Sequence, residues 1–428
     1  MADVAVQPIA ELPQISEPVR WSLPQKLAFR FFCVYWLLYA LPESGRISAF
    51  SILSVIPKAG PWMISQYEKM WHTLVPWVAT RFFHVTGQPA TYFRTGSGDT
   101  TLQYVNNLLY VLVALTALAV WSVLDRKRPN YRTLGAWLRL LVRYNLAFTL
   151  FGYGFAKVFP LQFQPPRNAK LMEPYGEFSP MGVLWSFMGA SLPYTVYSGA
   201  AEVLGGLLML FRRTTTLGAM VAAAVMLNVA ALNYCYDTPV KLYSTNLFLM
   251  AVFLFAWDSR RLLNVLVLNR PAGPSELPQV TFERRWLRIA SVCFWVLFVG
   301  YELYGGIHGS WEGYKQTYRN PQRPPLYGLY DVESGATWRK VAVDFPQGMT
   351  VRLADDKVMP MATEYAGDAV TINKKDTLTI SRPDPDHVVL TGTLNGAPAT
   401  VRLKKIDTSK MLLNSRGFHW INEFPMNR

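Results

Sequence analysis

Leu102-Gln103-Tyr104-Val105-Asn106-Asn107-Leu108-Leu109-Tyr110-Val111-Leu112-Val113-Ala114-Leu115-Thr116-Ala117-Leu118-Ala119-Val120-Trp121-Ser122-Val123-Leu124 contains no charged residue, and Asp125-Arg126-Lys127-Arg128-Pro129 follows it at once. A hydrocarbon core needs roughly 20 apolar residues of helix to cross it. A basic turn after such a run is a topology signal and a helix stop. The stretch therefore predicts a transmembrane helix, and the fold class follows from how often the pattern recurs.

Toward the N-terminus, Gln25 to Leu41 is apolar apart from Gln25, Lys26 and Arg30, and ends at Pro42-Glu43-Ser44-Gly45. It predicts a first span with Arg30 snorkelling toward the headgroups. Residues 46 to 100 mix aromatic and polar positions (Trp62, Tyr67, Trp71, His72, Trp77, Arg81, His84). That texture predicts amphipathic helices at the membrane surface and no span. The N-terminus stays polar to Arg20 and lacks the basic start and small-residue cleavage site of a signal peptide.

Toward the C-terminus, a third span runs from Leu134 to Phe159 and is followed by a Pro-rich loop (Pro160, Pro165, Pro166, Pro174, Pro180). Met181 to Ala190 is apolar but too short to cross alone, so it is expected to lie flat or re-enter. Further spans are read at Tyr194 to Phe211, Leu217 to Tyr234 and Leu242 to Trp257, and a seventh from Arg284-Arg285-Trp286 to Tyr304. Counting alternately, the basic turns at 126–132, 212–213, 260–261 and 284–285 share one side with Arg20 and Lys26, which the positive-inside rule makes cytoplasmic. An odd number of crossings puts the C-terminus outside, in the periplasm of a Gram-negative cell.

Past Arg319 the pattern alternates: Lys340 to Asp344, Thr350 to Leu353, Val370 to Ile372, Leu378 to Ile380, and Val388 to Leu390 joined across Asn395-Gly396 to Thr400-Val401-Arg402-Leu403. These read as strands, and Asn-Gly is a hairpin signal. A small antiparallel sandwich or barrel is expected, with Phe418, Trp420 and Phe424 available for its core or its seam with the bundle. The fold class is thus a mainly α membrane protein, a polytopic bundle of about seven transmembrane helices with a small antiparallel β-rich C-terminal domain. The divisions are a cytoplasmic tail over 1–24, the first helix and outer segment over 25–100, the bundle over 101–305 and an extracytoplasmic β-rich domain over 320–428.

Composition agrees: 51% of the 428 residues are hydrophobic and only 16% charged, where a soluble domain carries roughly a quarter charged residues. The net charge of +14 sits largely in the short basic turns and gives no basic, aromatic-interleaved face, so nucleic acid is not a partner. Cys33, Cys235 and Cys293 lie in or beside apolar segments and form no disulfide framework or Cys-X-X-Cys pair. The five histidines are scattered, which supports neither haem nor zinc, and no nucleotide fingerprint appears.

Ionisable groups within a bilayer are functional candidates by default. Glu202 lies eight residues into its span, roughly 12 Å deep at 1.5 Å per residue. Arg143, one turn after Arg139, lies inside the neighbouring antiparallel span and could meet it. Asn228 and Asn246 would complete a polar cluster. The plainer alternative is that these groups only bridge helices, where each membrane hydrogen bond contributes about 1 kcal/mol. Lys157, at the outer end of its span, is read as snorkelling. Asp237, Lys241 and Tyr243 fall on the outer side with the phenols of Tyr153, Tyr194, Tyr197 and Tyr234, a level at which a pocket could hold a quinone or other amphiphile and at which aromatic belts also occur without ligand.

Gly154-Phe155-Ala156-Lys157 closing one helix, then Ala201-Glu202-Val203-Leu204-Gly205-Gly206-Leu207-Leu208-Met209-Leu210-Phe211-Arg212-Arg213 and two more apolar spans, resembles the DoxX family of small four-helix bacterial membrane proteins. The likeness covers roughly residues 134 to 260, and Gly154, Lys157, Glu202, Gly205 and Gly206 carry it. The resemblance implies a four-helix core in the bacterial inner membrane and an association with respiratory or sulfur redox chemistry, including a quinone-linked thiosulfate-oxidising enzyme. The extra N-terminal spans and the seventh helix with its β domain depart from that pattern.

Two functions follow as expectations. In one, a pocket around Glu202 and the outer tyrosines binds a quinone or lipid-like ligand and opens laterally to lipid. In the other, a dry bundle anchors a non-catalytic scaffold or assembly subunit that recruits a membrane or periplasmic protein through its β domain. Solute transport would call for broken helices or inverted repeats, and neither is clear in the chain.

Overall fold

The apolar runs fold as helices where hydropathy places them. A computed structural model describes residues 20–41, 56–93 and 95–427; the N-terminal tail up to residue 19 and the turn at Pro42 to Gly45 lie outside them. Helix α1 is Leu23–Ala40, α2 Ala59–Phe83, α3 Thr101–Leu124, α4 Arg132–Val158, α5 Asn168–Met172 and α6 Pro180–Ala190. Then follow α7 Leu192–Leu210, α8 Thr215–Cys235, α9 Lys241–Ala256, α10 Ser259–Leu266 and α11 Arg285–Tyr314, which continues into a π-helical turn at Lys315–Arg319. The starts follow local capping chemistry. Ser22 and Gln25 form a capping box on α1, Thr100 accepts from the Gln103 N–H on α3, and Ser179 with Pro180 opens α6.

Among the described residues, α3, α8 and the helix Arg285–Arg319 are long and apolar enough to cross a membrane, and α9 with α10 makes a fourth if counted as one span bent by 81°. The expected spans at α1, α4 and α7 form as helices of 18, 27 and 19 residues. Their length and composition do not meet that standard: α4 carries Arg132, Arg139, Arg143 and Lys157, and α7 carries Thr195, Ser198 and Glu202. Seven crossings are therefore not reached on length and apolarity. The Asp258 to Arg261 segment, read as a turn, opens α10 instead, and the described part of the outer segment holds the 25-residue helix α2, with Pro76 inside it.

The chain divides into two compact units, one drawn from residues up to Leu146 with Val252–Ala290, the other from Ala147–Ala251 with Ser291–Arg428. In the first, an aromatic cluster holds α1 to the turn between α3 and α4. Phe29 stacks on Tyr131 at 5.1 Å, and Trp21, Trp121 and Trp257 pack edge-on around that pair. Arg30 does not snorkel. It is 2% exposed, donating through Nε and Nη2 to the Tyr131 hydroxyl at 3.0 and 2.8 Å, through Nη1 to Ser122 at 2.8 Å and through Nη2 to the Asp125 carbonyl at 2.8 Å. Tyr131 in turn donates to the Asp125 carboxylate at 3.1 Å. A buried cation needs such partners, and the basic turn supplies them.

In the second unit, residues 328–406 form eight strands: β1 Gly328–Ser334, β2 Trp338–Phe345, β3 Gly348–Leu353, β4 Val358–Ala366, β5 Ala369–Ile372, β6 Asp376–Ser381, β7 His387–Leu394 and β8 Ala397–Ile406. All neighbours are antiparallel, and β8 pairs with β1 to close a barrel. This decides between sandwich and barrel. The β7–β8 hairpin turns at Asn395 and Gly396, both with positive φ (53° and 79°), as a tight two-residue turn of this kind requires. Inward residues of seven strands, among them Tyr330, Val343, Val351, Ile372, Leu378, Leu390 and Val401, form one buried cluster, against which the half-buried Met361 and Tyr365 of β4 pack. An eight-stranded barrel is just wide enough for side chains to fill, and here they do. Phe418, Trp420 and Phe424 are not in that core: they are 77%, 91% and 85% exposed, because the inward strand positions already occupy it.

Candidate functional site

Helices α4 and α7 approach closely because glycines face each other. A Cβ on Gly199 would lie 2.6 Å from both the Gly154 carbonyl oxygen and Lys157 Cβ, and one on Gly154 would lie 2.7 Å from the Val203 side chain. Such contacts let backbones meet without a side chain between them. One turn on from Gly199, Glu202 turns its carboxylate to Lys157. The Lys157 Nζ donates to Oε1 at 2.9 Å and Oε2 at 2.8 Å, with side-chain exposures of 8% and 2%. The Lys157 ammonium also sits 5.5 Å from the Tyr153 ring centroid, a cation–π distance, and Tyr153 lies 6.1 Å from Tyr243.

This replaces the expected partner of Glu202. Arg143 stands in the first unit, its guanidinium 5.0 Å from the Tyr144 ring centroid, while the carboxylate is taken by Lys157, which is buried rather than snorkelling. The two asparagines differ in setting. Asn246 is 2% exposed and donates to the Leu242 carbonyl one turn back at 2.9 Å, and Asn228 is exposed on α8. Tyr197 is 68% exposed and packs beside Tyr194 at 6.3 Å. Lys157, Glu202 and Tyr153, three of the seven candidates, meet in one place.

A second polar constellation, absent from the sequence reading, seats the barrel. The Asp344 carboxylate at the end of β2 accepts from the backbone N–H groups of Asn168 and Ala169, at 3.0 Å each. These are the first two amides of α5, which a helix leaves unsatisfied and which favour a negative charge. Asn168 Nδ2 donates to the Val343 carbonyl at 3.3 Å, Arg167 lies 4.1 Å from the Phe345 ring centroid, and Met172 packs with Leu329 and Ala342 on the barrel wall. The only signal of this seat in the chain is the acidic residue ending a strand, and its partner lies 175 residues away.

Chemically, the α4–α7 pair is a buried ion pair bonded through both carboxylate oxygens, and the seat is a capped helix end. No family profile matches the chain, and no solved structure matches it. Over 132 residues it is 33% identical to the Bacillus subtilis (strain 168) protein YwoB, a match covering 29% of this chain and 78% of YwoB. The chain belongs to the YwoB family. YwoB is described as an uncharacterized protein, so membership in the YwoB family brings kinship without an assigned chemistry.

Proposed function

We propose that the protein is a multi-pass protein of the bacterial inner membrane, of DoxX-like type, that holds its barrel outside the cytoplasm as a fixed platform for a membrane or periplasmic protein partner. The observation carrying this is the seat. Asp344, Asn168 and Met172 join the barrel to the segment that follows α4 through hydrogen bonds and apolar packing, which suits a domain held in one orientation. The filled barrel interior favours use of its outer surface. The basic turns support a cytoplasmic N-terminus, and the barrel is periplasmic on this reading if the number of crossings is odd.

Cysteines introduced in place of Lys127 and Asn395 test the placement: the reading expects a membrane-impermeant reagent to reach 395 and not 127 in intact spheroplasts. Photo-crosslinkers at the exposed barrel positions Glu364 and Thr379 test the platform. Discrete protein adducts are expected in cells, and a bare monomer band at both positions would defeat it.

A quinone or lipid-like ligand near Glu202, tied to respiratory or sulfur redox chemistry, is the second reading. It is favoured by Tyr153 lying over the buried Lys157 ammonium, with Tyr243 packed beside Tyr153. Mass spectrometry of lipids and quinones that co-purify in mild detergent, repeated for Glu202→Gln, tests it. An unchanged set of bound species in the variant counts against that pocket.

A further inference from the structure

After β8 the chain passes through a short turn at Thr408–Lys410, and Met411 packs with Ile406 and Ala169 against Met172, Leu329 and Ala342. The segment that follows therefore leaves the barrel from its seat on α5. It is then apolar and uncovered: Leu413, Phe418, Trp420, Ile421 and Phe424 are each more than half exposed. Gly417, at φ 63°, and Pro425 interrupt it, so it offers neither one long helix face nor a strand to a protein groove.

The seat lies close to where α11 ends. Phe159 packs on Trp311 at 6.2 Å, the Tyr318 hydroxyl donates to the Pro160 carbonyl at 2.7 Å, and Leu161 lies against Gly313. Asn168 follows Leu161 by seven residues, a reach of at most roughly 25 Å. This end of α11 carries Trp311 stacked on Tyr314, Tyr314 on Tyr318, and Arg319 5.0 Å from the Trp311 ring centroid. Aromatic rings with basic groups at the end of an apolar helix mark the headgroup level of a bilayer.

We propose that residues 411–427 lie in the outer boundary between headgroups and acyl chains, with Phe418, Trp420, Ile421 and Phe424 inserted, as a second membrane attachment beside the barrel seat. Trp and Phe are the side chains such interfacial segments use, and apolar burial rather than charge holds the segment there, since Lys410 is paired with Asp407 at 3.6 Å and Arg416 is matched by Glu423 within it. The inference rests on α8 and α11 crossing the membrane.

The test uses the full chain with Cys33, Cys235 and Cys293 changed to Ser, in vesicles of phosphatidylethanolamine and phosphatidylglycerol. An environment-sensitive fluorophore is placed singly at Ile421→Cys, at Leu227→Cys in the middle of α8, or at Thr379→Cys on β6, four strands round the barrel from β2. The probe at 421 is expected to be quenched several-fold more by nitroxide-labelled lipid than by aqueous iodide, as at 227 and opposite to 379. A probe at 421 that follows 379 while 227 stays lipid-quenched overturns the attachment alone. Protection of 421 from both quenchers makes the occupant a protein and overturns it as well. Iodide quenching at 227 removes α8 from the membrane and overturns attachment and membrane placement together.

Discussion

Two lysine–carboxylate pairs with the same separation sit in opposite surroundings. Lys157 meets Glu202 at 2.8 Å inside the helices, and Lys340 meets Asp331 at 2.8 Å across β1 and β2 on the barrel wall. Side-chain exposure is 8% and 2% in the first and 25% and 51% in the second. Two charges 4 Å apart attract by about 1 kcal/mol in water and about 4 kcal/mol at an intermediate dielectric, but burying them costs several kcal/mol per ion. Solvent, not distance, decides what each pair contributes: the buried one punishes loss of a single partner, the exposed one hardly registers it.

Lys157→Met should therefore cost about 3–5 kcal/mol, since it leaves Glu202 charged and unpaired. The joint replacement Lys157→Met with Glu202→Leu should recover most of that loss, read as thermal unfolding in lipid nanodiscs. Lys340→Met should cost at most about 1 kcal/mol. Equal losses for the two lysine variants would erase the contrast.

A smaller effect is expected at the seat. Asp344→Ala removes the cap on two α5 amides and should cost about 1–2 kcal/mol, seen as faster hydrogen exchange at Asn168 and Ala169. Unchanged exchange there would mean that apolar packing alone holds the barrel.

The smallest effect belongs to the barrel surface, where His387 Nδ1 lies 2.9 Å from Asp384 and Nε2 3.6 Å from Glu333, with Lys404 opposite in register. The hydrogen bond to Asp384 holds the imidazolium above its ordinary range, and the same bond holds the Asp384 carboxyl below its own. The His387 contribution is complete below the unfolded value of about 6.5 and fades as pH rises through the raised folded value. The Asp384 contribution is present above about 3.9 and fades as pH falls through the lowered folded value. The gap in barrel melting temperature between the native chain and His387→Gln should be widest near pH 5 and close toward pH 9; a constant gap would show a contact without proton linkage.

Much of the architecture is legible in the chain. Helices α3, α8 and α9 begin and end within two residues of their apolar runs, because lipid-compatible runs and basic stops leave little freedom. The Asn395-Gly396 turn announces its hairpin. Strands β1 and β4 are missed: Gly328 opens one with Tyr330 and Asp331 in it, and Pro360 lies inside the other, and both residue types ordinarily argue against a strand. The partner of Glu202 is not legible in the chain for a geometric reason. Pairing by depth takes α7 to begin at the surface where α4 ends, whereas Glu202, ten residues into α7, meets Lys157, one residue before the end of α4. That is an offset of roughly 15 Å along the helix, introduced by a connection containing α5 and α6.

Closure of the barrel by β1 and β8 limits how another molecule can take hold of this domain. An open sheet offers a row of spare backbone donors and acceptors that any extended peptide can extend, including a wrong one. With the row used up internally, recognition passes to outward side chains and loops, where a match depends on residue identity. Such a domain resists fibre-like self-association, and its selectivity can change by substitution on its surface without disturbing the ring of strands.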